Sequence, residues 1–422
     1  MKKLLTVSIA AYNVEAYLDK TLQSLICGKE LRDRIEVLII NDASTDGTIN
    51  IAESYASKYP ATFTAVTKEN GGHGSTLNYS IKRARGKYFK MLDGDDWYDT
   101  AQFEHFIKKL EKTDVDLVLT PYTRVYEDDG REENVNRYGL EYGREYKLEH
   151  ETYNLLDNLH AAELTVKTEL LRTNNVHITE HCCYTDDALV SYALLFSETV
   201  EKFNDNVYRY RIGVAGQSVS DEGRIRHWED GIRVVTDIIK NTARYINEYD
   251  RAKRVFVYNI LCHTLGFQYD TFLIMDKFDI IRQRINNFNQ DMMKFNREFY
   301  DYANTNCWSK RLAEDIIVRI PELCEEEEKN IVVFGAGKSG KKAVRVMLKE
   351  DVKIAAVTDN EKAKWGQNIS GVPVISPESA VSLDNVIFYI AVKGFDSEIY
   401  TQLKNMGVQD KNIFNLPVRM ES

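Results

Sequence analysis

Short apolar runs alternate with helix-spaced apolar residues over the first 120 residues of the chain. Runs such as LLTVSIAAY and RIEVLIIND predict buried strands, whereas STLNYSIKRAR has the spacing of a helix. Strands separated by helices of about 10–15 residues are typical of a largely parallel sheet covered on both faces. The pattern therefore predicts an α/β domain in which ligands bind at the carboxyl ends of the strands.

The pattern changes along the rest of the chain. VDLVLTPYTRVYE and VEKFNDNVYRYRIG each predict one strand, and TDDALVSYALLFS predicts a helix. Residues 224–320 are mostly helical and rich in aromatic residues, and the acidic run CEEEEKN is expected to be a solvated linker or a helix end. A second α/β unit begins with NIVVFGAGKSGKKAV. We therefore predict three regions, 1–222, 223–327 and 328–422.

Composition and charge argue against several classes of protein. The formal net charge of −10 argues against a general nucleic-acid binder. No run of about 18 apolar residues occurs, so no membrane span is expected. The opening MKKLLTVSIAAYN is expected to be a strand rather than a signal peptide, because its short apolar run reaches no cleavage-like site. The cysteines are scattered except for Cys182 and Cys183, which fits a reduced, cytoplasmic chain.

An acidic cluster follows the apolar run KYFKM. Asp93, Asp95 and Asp96 occur within four positions at what should be the end of a buried strand. Close carboxylates repel one another, and carboxylate oxygens suit hard cations such as Mg²⁺ or Mn²⁺, which also bind substrate phosphates. The alternative is a solvated acidic turn that caps the helix beginning near Thr100.

Four motifs occur in an order that resembles a known family. They are VSIAAYNVEAYLDKTLQSL, VLIINDASTDGT, ENGGHGSTLNYSIKRARGKYFKMLDGDDW and YTDDALVSYALLF. Residues 4–220 are similar to the inverting family 2 glycosyltransferases, which have a GT-A fold. The resemblance implies transfer of a sugar from a nucleotide donor, UDP in particular, to an acceptor hydroxyl with Mn²⁺ or Mg²⁺.

The resemblance also implies a product class and partners. A cell-surface polysaccharide, a teichoic polymer or a glycolipid is the expected product, with a glycan or lipid-linked acceptor. Because no membrane span is expected, a lipid-linked acceptor would require peripheral association with the inner face of a membrane. Whether the chain forms a homo-oligomer is left open.

Site residues follow from the resemblance position by position. On the donor side they are Ala11, Tyr12 and Asn13 in the first loop, Asp42 for the uracil edge, Asp93 for the ribose and the metal, Asp95 for the metal, and Asp96 for positioning either. Asp187 matches the general base. Because it would lie in the first turn of a helix, the helix dipole is expected to lower its pKa.

The chain departs from the family at several motif positions. Asn41 replaces the first Asp of the usual Asp-Asp pair, and Leu77-Asn78 replaces Arg-Asn. We expect backbone N–H groups of Gly71–Ser75, with Gly72 and His73, to compensate at the donor beside Asn78. Asp186 replaces the usual Glu, and it is expected either to contact substrate or to cap the helix. Thr185 is the other candidate for the helix cap. His73 and His181 are alternatively metal ligands or ordinary loop histidines.

The segment YRYRIGVAGQSVS is glycine-containing and rich in donors. Its Arg209, Arg211, Ser218 and Ser220 match a family loop that closes over the donor diphosphate. Such closure would exclude water and suppress donor hydrolysis. The alternative is an edge strand that carries exposed arginines.

The second α/β unit carries a GxGxxG pattern after its first strand. The glycines are Gly335, Gly337 and Gly340, and Asp359 follows about 20 residues later at the end of a second strand. The unit resembles the small Rossmann-like domains found beside sugar-modifying enzymes. Three alternatives stay open for it: NAD binding, binding of a nucleotide or other phosphate ligand, and a structural or interaction role.

Three rival functions compete with the glycosyltransferase. A glycoside hydrolase would use two carboxylates without a nucleotide or a metal. A non-catalytic nucleotide-sugar sensor would signal through the second α/β unit. An NAD-dependent sugar-modifying enzyme would act through that unit directly.

Overall fold

A computed structural model of the chain describes residues 3–136, 139–156, 159–214, 218–327 and 329–414. The chain divides into two compact units, Met1–Thr264 and Leu265–Ser422. The first unit therefore extends beyond residue 222, and helices between residues 265 and 327 belong to the second. The division into three regions stays a prediction. Among the described residues, no helix is long and apolar enough to cross a membrane.

The first unit is built on two sheets. The larger has the order β3-β2-β1-β4-β10-β6-β11-β9, and the smaller β5-β12-β7-β8. The strands are β1 Leu5–Ala11, β2 Ile35–Asn41, β3 Phe63–Thr67, β4 Tyr88–Asp93, β5 Trp97–Tyr98, β6 Leu117–Leu119, β7 Tyr122–Tyr126, β8 Glu132–Val135, β9 Glu145–Lys147, β10 Leu164–Lys167, β11 Thr199–Lys202 and β12 Tyr208–Ile212.

Strands β3, β2, β1 and β4 run parallel, as the alternating pattern predicts. β10 then pairs antiparallel with both β4 and β6. The central strand β1 carries Leu5, Val7 and Ile9, whose side chains are completely buried. Burial of each such side chain stabilises the fold by about 1.5–3 kcal/mol. The carboxyl ends of β1, β2 and β4 consequently meet at one rigid edge.

Helices cover the sheets and lead away from the strand ends. They are α1 Glu15–Gln23, α2 Lys29–Arg32, α3 Thr48–Lys58, α4 Gly72–Arg83, α5 Thr100–Leu110, α6 His150–Tyr153, α7 Thr168–Thr173, α8 Asp186–Phe196, α9 Asp221–Arg226, α10 Asp230–Thr242 and α11 Arg251–Phe272. α11 continues from the first unit into the second.

Two strands predicted as continuous are each broken in two. VDLVLTPYTRVYE forms β6 and β7, which lie in different sheets on either side of Thr120 and Pro121. Proline has no N–H to donate to a sheet ladder, so the strand ends there. VEKFNDNVYRYRIG likewise forms β11 in the large sheet and β12 in the small one. The polar residues between them allow the chain to change sheets.

The second unit combines helices with a six-stranded sheet. Its order is β15-β16-β14-β13-β17-β18, and β13 is parallel to both β14 and β17. The elements are α12 Phe278–Phe295, α13 Arg297–Asn306, α14 Trp308–Glu314, a π-helix Asp315–Arg319, α15 Ile320–Glu327, β13 Asn330–Phe334, α16 Lys338–Lys349, β14 Ile354–Thr358, β15 Asn368–Ile369, β16 Val372–Ile375, α17 Pro377–Val381, β17 Val386–Ile390, α18 Asp396–Asn405 and β18 Ile413–Phe414.

Polar contacts join α16 to the helices that precede the sheet of the second unit. Lys342 Nζ donates to Asp270 Oδ1 at 2.7 Å, and the Arg345 guanidinium donates to the Leu273 carbonyl at 2.6 Å. Glu350 forms an ion pair with Arg282. The acidic run ends α15 at Glu327, which agrees with the helix-end alternative, and Glu328 lies outside the described residues.

Candidate active site

The acidic cluster lies in a tight turn after β4. Gly94 N donates to the Ala10 carbonyl at 3.1 Å, and Asp96 N donates to the Asp93 carbonyl at 3.1 Å. A Cβ at Gly94 would lie 2.8 Å from the Ala10 oxygen, so glycine permits this close approach to β1. The turn therefore holds the carboxylates at the carboxyl edge of the large sheet.

Asp96 anchors the turn to β12. Its side chain is buried, with Oδ2 accepting from the Tyr208 hydroxyl at 2.7 Å and Oδ1 accepting from Arg211 N at 2.7 Å. Burial, followed by the charges of Asp95 and Asp93, raises the pKa of Asp96 well above its usual range. Contrary to the expectation that Asp96 positions the ribose or metal, both oxygens of its carboxyl group bond to β12.

Asp93 and Asp95 are less buried than Asp96 and differ electrostatically. Burial opposes the charged form of Asp93, but hydrogen bonds and charge from His73, with a bond from Tyr208, lower its pKa. Burial, followed by the charge of Asp93, raises the pKa of Asp95 to about 6. Asp95 makes no ion pair within the described part of the chain. This pair of hard oxygen donors fits a divalent cation, which would relieve their repulsion.

His73 connects this cluster with the start of α8. Its Nε2 lies 3.4 Å from Asp93 Oδ1, and its Nδ1 lies 2.8 Å from Thr185 Oγ1. Burial disfavours the imidazolium, but the hydrogen bond and charge of Asp93, with further acidic neighbours, raise the pKa of His73. Thr185 immediately precedes α8, so the His73 side chain links the acidic turn after β4 to the residue before Asp186 and Asp187.

Glycines allow the loop before α8 to pack against the start of α4. A Cβ at Gly74 would lie 2.0 Å from the Thr179 carbonyl oxygen. Gly72 has a φ of 76°, and its added Cβ would lie 3.2 Å from Cys182 N. His181 N donates to the Gly71 carbonyl at 2.5 Å. GGHGS is therefore a packing surface for the α8 loop as well as the start of a helix.

Asp187 lies in the first turn of α8, where its Oδ2 accepts from the Thr264 hydroxyl at 2.7 Å. Burial, followed by the charge of Asp186, raises the pKa of Asp187 to about 8. The expectation that the helix dipole lowers this pKa is wrong, because desolvation and like charge outweigh the dipole. Thr185 is the N-cap residue, but its side chain makes no cap bond; Asp186 is the first helical residue.

Two predicted substrate-binding residues hold loops instead. Asp42 has a side chain that is only 3% exposed, and its carboxylate accepts from Lys68 Nζ at 2.8 Å, Gly71 N at 3.0 Å and Gly72 N at 2.7 Å. This arrangement contradicts the expectation of an accessible uracil partner. Asn78 is buried and bonds through its amide to both the N–H and carbonyl of Ile178 and to Glu180. Asn78 therefore fastens the loop that leads to α8.

The first-loop residues occupy different environments. Ala11 ends β1 and is buried, so its side chain cannot border a ligand. Tyr12 is 53% exposed. Asn13 has a φ of 53°, and its Oδ1 accepts from Thr45 N at 2.8 Å while its own N–H donates to Ser44 Oγ. Tyr12 and Asn13 are thus both exposed, and Asn13 also fastens the first loop to residues 44 and 45.

The two arginines lie on β12 and not on a flexible segment. β12 is flanked by β5 and β7, so the edge-strand alternative is also wrong. Arg209 pairs with Asp99 at 3.0 Å and Glu132 at 3.2 Å. The Arg211 guanidinium is buried, pairs with Glu127, and donates through Nε to the Asp95 carbonyl at 2.7 Å. Both guanidinium groups are therefore engaged by the protein.

The rest of the predicted closing loop is only partly described, because residues 215–217 lie outside the described residues. The Ser218 carbonyl accepts from the Tyr184 hydroxyl at 3.0 Å. The Ser220 hydroxyl accepts from Gly223 N at 3.1 Å and caps α9. His181, the other candidate metal ligand, lies in the loop before α8 with a φ of 52°.

Tyr208 and Thr264 are site residues that sequence reasoning missed. Tyr208 contacts both Asp93 and Asp96, and Thr264 contacts Asp187. Thr264 lies within the long helix α11, 77 positions from its partner. No local sequence motif marks such a contact; the alternation YRYR could only indicate that Tyr208 and Arg209 face opposite sides of a strand.

The second glycine-rich loop borders a cavity of about 450 Å³ at the carboxyl ends of β13, β14 and β17. Gly335 has a φ of 116°, and a Cβ at Gly340 would lie 1.6 Å from the Gly335 oxygen. Asp359 Oδ2 accepts from Ala336 N at 2.7 Å and lies 3.2 Å from Lys364 Nζ, and Oδ1 accepts from Glu361 N. Asp359 lines the cavity, as the expectation from dinucleotide binding requires, but both of its carboxylate oxygens already accept N–H groups of the protein.

Comparisons with known proteins agree with this architecture. The sequence profile described as Glycosyl transferase family 2 matches residues 6–174, and that described as C2185-like, N-terminal, matches residues 327–414. Residues 6–174 form a family 2 glycosyltransferase domain. This domain contains β4, the acidic turn and the start of α4, whereas Asp187 lies beyond the matched range.

Relatives and solved structures extend the comparison. The chain is 27% identical to the minor teichoic acid biosynthesis protein GgaB of Bacillus subtilis over 62% of its own length and 29% of GgaB. It is 24% identical to glycosyltransferase GlyG of Streptococcus pneumoniae over 50% of its own length and 71% of GlyG. It covers 35% and 62% of two other glycosyltransferase relatives of Bacillus subtilis.

The crystal structure of S. aureus TarS residues 1–349 with UDP-GlcNAc superposes with a TM-score of 0.55 at 20% identity. The alignment covers 78% of this chain and 93% of that one. The glycosyltransferase domain therefore has the GT-A fold that its motifs predict.

Proposed function

We propose that the protein is a metal-dependent inverting glycosyltransferase that moves a sugar from a UDP donor to an acceptor hydroxyl. One observation carries the proposal: His73 contacts Asp93 of the strand-end pair at 3.4 Å and Thr185 at the start of α8 at 2.8 Å. This link between the strand end and the start of α8 supports a shared site in which one carboxylate group serves the donor and another serves the acceptor.

Asp93 and Asp95 would hold the cation. Their oxygen donors fit Mn²⁺ or Mg²⁺, and the like-charge repulsion at Asp95 favours a cation there. When bound, the cation would neutralise charge on the departing diphosphate. We propose Tyr12, Gly72, His73, Ser218 and Ser220 as further donor contacts.

Asp187 is the proposed general base. A base works best when its pKa lies near the pH at which it operates, and burial brings that of Asp187 to about 8. The Thr264 hydroxyl, which donates to Oδ2 at 2.7 Å, orients the carboxyl group and leaves Oδ1 to accept the proton of the acceptor hydroxyl. Asp186 would position the acceptor beside it.

The donor and product class rest on relatives. TarS has been crystallised with UDP-GlcNAc and GgaB is named for minor teichoic acid biosynthesis. We propose a UDP-sugar donor and a cell-surface polymer, such as a teichoic polymer, as the product. A glycoside hydrolase is a weaker reading, since the domain belongs to a transferase family.

A second ligand site in the C-terminal unit is favoured by its cavity. The cavity is lined by Gly337, Lys338, Lys393 and Phe395, whose ring is 60% exposed. Glycine-loop N–H groups and lysines suit phosphate, and an exposed ring suits a base. Because Asp359 is engaged, we propose a mononucleotide there rather than NAD. Calorimetry of the full chain with UDP, ADP and NAD, in wild type and Lys338→Ala, tests this.

The transfer proposal is tested by screening nucleotide sugars for donor turnover with Mn²⁺ or Mg²⁺. We expect metal-dependent release of UDP from at least one UDP-sugar, and EDTA should abolish it. Binding without turnover across all donors and acceptors tested would instead support a nucleotide-sugar sensor.

A further inference from the structure

Cys183, His227 and Asp230 form a cluster of metal-ligating side chains outside the two acidic pairs. Cys183 Sγ, a His227 ring nitrogen and an Asp230 carboxylate oxygen all lie within 4.8 Å of one another. Cys183 belongs to the loop before α8, His227 follows α9, and Asp230 begins α10. Two segments of the first unit, the loop before α8 and the connection between α9 and α10, thus bring three donors to the same point.

Hydrogen bonds already hold the cluster together. Asp230 Oδ2 lies 3.0 Å from His227 Nδ1 and accepts from Cys183 N at 2.9 Å. Asp230 is buried, whereas the His227 side chain is 32% exposed. Arg233 lies 3.4 Å from the other carboxylate oxygen and balances its charge. The cluster therefore has a fixed, buried base and an opening to solvent at the imidazole.

The donor chemistry differs from that of Asp93 and Asp95. Thiolate, imidazole and carboxylate together suit zinc, whereas an all-carboxylate pair suits Mn²⁺ or Mg²⁺. Zinc bonds of about 2.0–2.3 Å place ligand atoms of a tetrahedral site about 3.3–3.8 Å apart. The observed spacings lie on both sides of this range, from 3.0 Å between His227 Nδ1 and Asp230 Oδ2 up to the limit of 4.8 Å, so small adjustments of the side chains would bring the donors to zinc distances.

We propose that Cys183, His227 and Asp230 bind a zinc ion with water in the fourth position. The Cys183 thiol gives its proton to solvent when the metal–sulfur bond forms, so the affinity for zinc rises with pH. Neither Asp93 nor Asp95 contributes to this site, which is consequently separate from the proposed transfer chemistry.

The zinc would hold the loop that carries the proposed base. Within this loop, His181 and Tyr184 have φ values of 52° and 61°. Bulky residues with positive φ cost of order 1 kcal/mol or more each, so packing must hold the loop in place. A metal bond at Cys183, three positions before Asp186, would tie the loop to the end of α9 and the start of α10.

Cobalt titration of the full-length, EDTA-treated protein provides the test. Co²⁺ bound to a thiolate gives a sulfur-to-metal charge-transfer band, which carboxylate sites do not give. We expect this band to saturate at one equivalent of Co²⁺ and to disappear when Zn²⁺ displaces the cobalt. Addition of Zn²⁺ should also raise the Tm. In Cys183→Ser the band should disappear, and in His227→Gln the affinity should fall at least ~10-fold.

Two variants serve as controls. Cys182→Ser removes a neighbouring thiol whose sulfur faces the Cys183 and Asp230 carbonyls, so the band should persist. Asp95→Ala should also keep the band, whether or not the transferase proposal holds. Absence of the band in the wild type, or its persistence in Cys183→Ser, would overturn the zinc site.

Discussion

Two acidic pairs in the first unit have opposite electrostatic environments. At the end of β4, His73 and Tyr208 donate to Asp93 and lower its pKa against the effect of burial. At the start of α8, burial and Asp186 raise the pKa of Asp187 to about 8, although Thr264 donates to it. The same residue type is thus kept ionised at one position and ready to take up a proton at the other.

A difference in pKa between two carboxyl groups suits them to different roles. Where environments push two pKa values apart, the ionised member suits a metal or a charged substrate, and the raised one suits proton transfer. Asp95, at about 6, is raised by the same pair repulsion that a cation would remove. The comparison therefore supports the proposal that the donor binds at the strand end and the acceptor at the helix start.

The largest expected effect follows from replacing the proposed general base, Asp187. Asp187→Asn should lower transfer by roughly 10²–10⁴-fold, because a positioned general base contributes that much. Donor affinity should stay near the wild-type value, since the metal pair is unchanged. Steady-state transfer at saturating donor, with Asp186→Asn as the matched control, measures this. If Asp186→Asn is inactive and Asp187→Asn is active, the roles of the two are reversed.

Removing the proposed metal ligand Asp95 should weaken donor binding. We expect Asp95→Ala to lose at least ~10-fold in Mn²⁺-dependent UDP affinity, because one of two oxygen donors is removed and ligand loss costs at least that much. Calorimetry with and without Mn²⁺ measures the change, and Asp114→Ala, at an exposed aspartate that pairs with Lys87, serves as control. Equal Mn²⁺ dependence in Asp95→Ala and wild type would remove Asp95 from the metal site.

His73 should couple the two pairs. His73→Ala removes a contact to Asp93 and one to Thr185, the residue before the second pair. Loss of one charge-assisted hydrogen bond of about 1.5 kcal/mol corresponds to roughly 10-fold in kcat/KM. Donor affinity and turnover should both fall. Thr185→Val, which keeps the Asp93 contact, should lower turnover alone. A His73→Ala variant with unchanged Mn²⁺-dependent binding would contradict the link between His73 and the donor side.

The smallest effect is on stability. The folded-state pKa of Asp187, about 8, lies above the ordinary Asp value near 3.9, so folding favours its protonated form. Stability from this group is complete at low pH and is lost as the pH rises through about 8. The loss begins near the ordinary Asp pKa and is complete only above about pH 8, so the Tm advantage of Asp187→Asn over wild type should be larger at pH 9 than at pH 5. A Tm difference independent of pH would contradict the raised pKa.

Two glycine-rich loops show where sequence reasoning succeeded and where it stopped. Strand–loop–helix order and the acidic turn followed from local spacing, and the structure agrees. Both Asp42 and Asp359 were assigned to ligands, yet each accepts loop N–H groups and lies beside a lysine. Such a carboxylate satisfies N–H groups of a tight loop, and the sequence alone does not distinguish that role from ligand binding.

Long-range contacts account for most of the remaining differences. Thr264 reaches Asp187 across 77 positions, and Arg211 is buried against residues of several segments. The pKa of Asp187 was expected to fall because only its helix position was visible in the sequence. Burial and the packing around α8, which depend on the assembled first unit, reverse that direction.

Release of UDP from a UDP-sugar, followed in wild type, Asp95→Ala and Asp187→Asn with parallel calorimetry of UDP binding, tests the division of roles most directly. We predict Mn²⁺-dependent release in wild type and its loss in both variants, with Mn²⁺-dependent UDP binding kept in Asp187→Asn and lost in Asp95→Ala. Full release by either variant, or the same binding defect in both, would contradict the account.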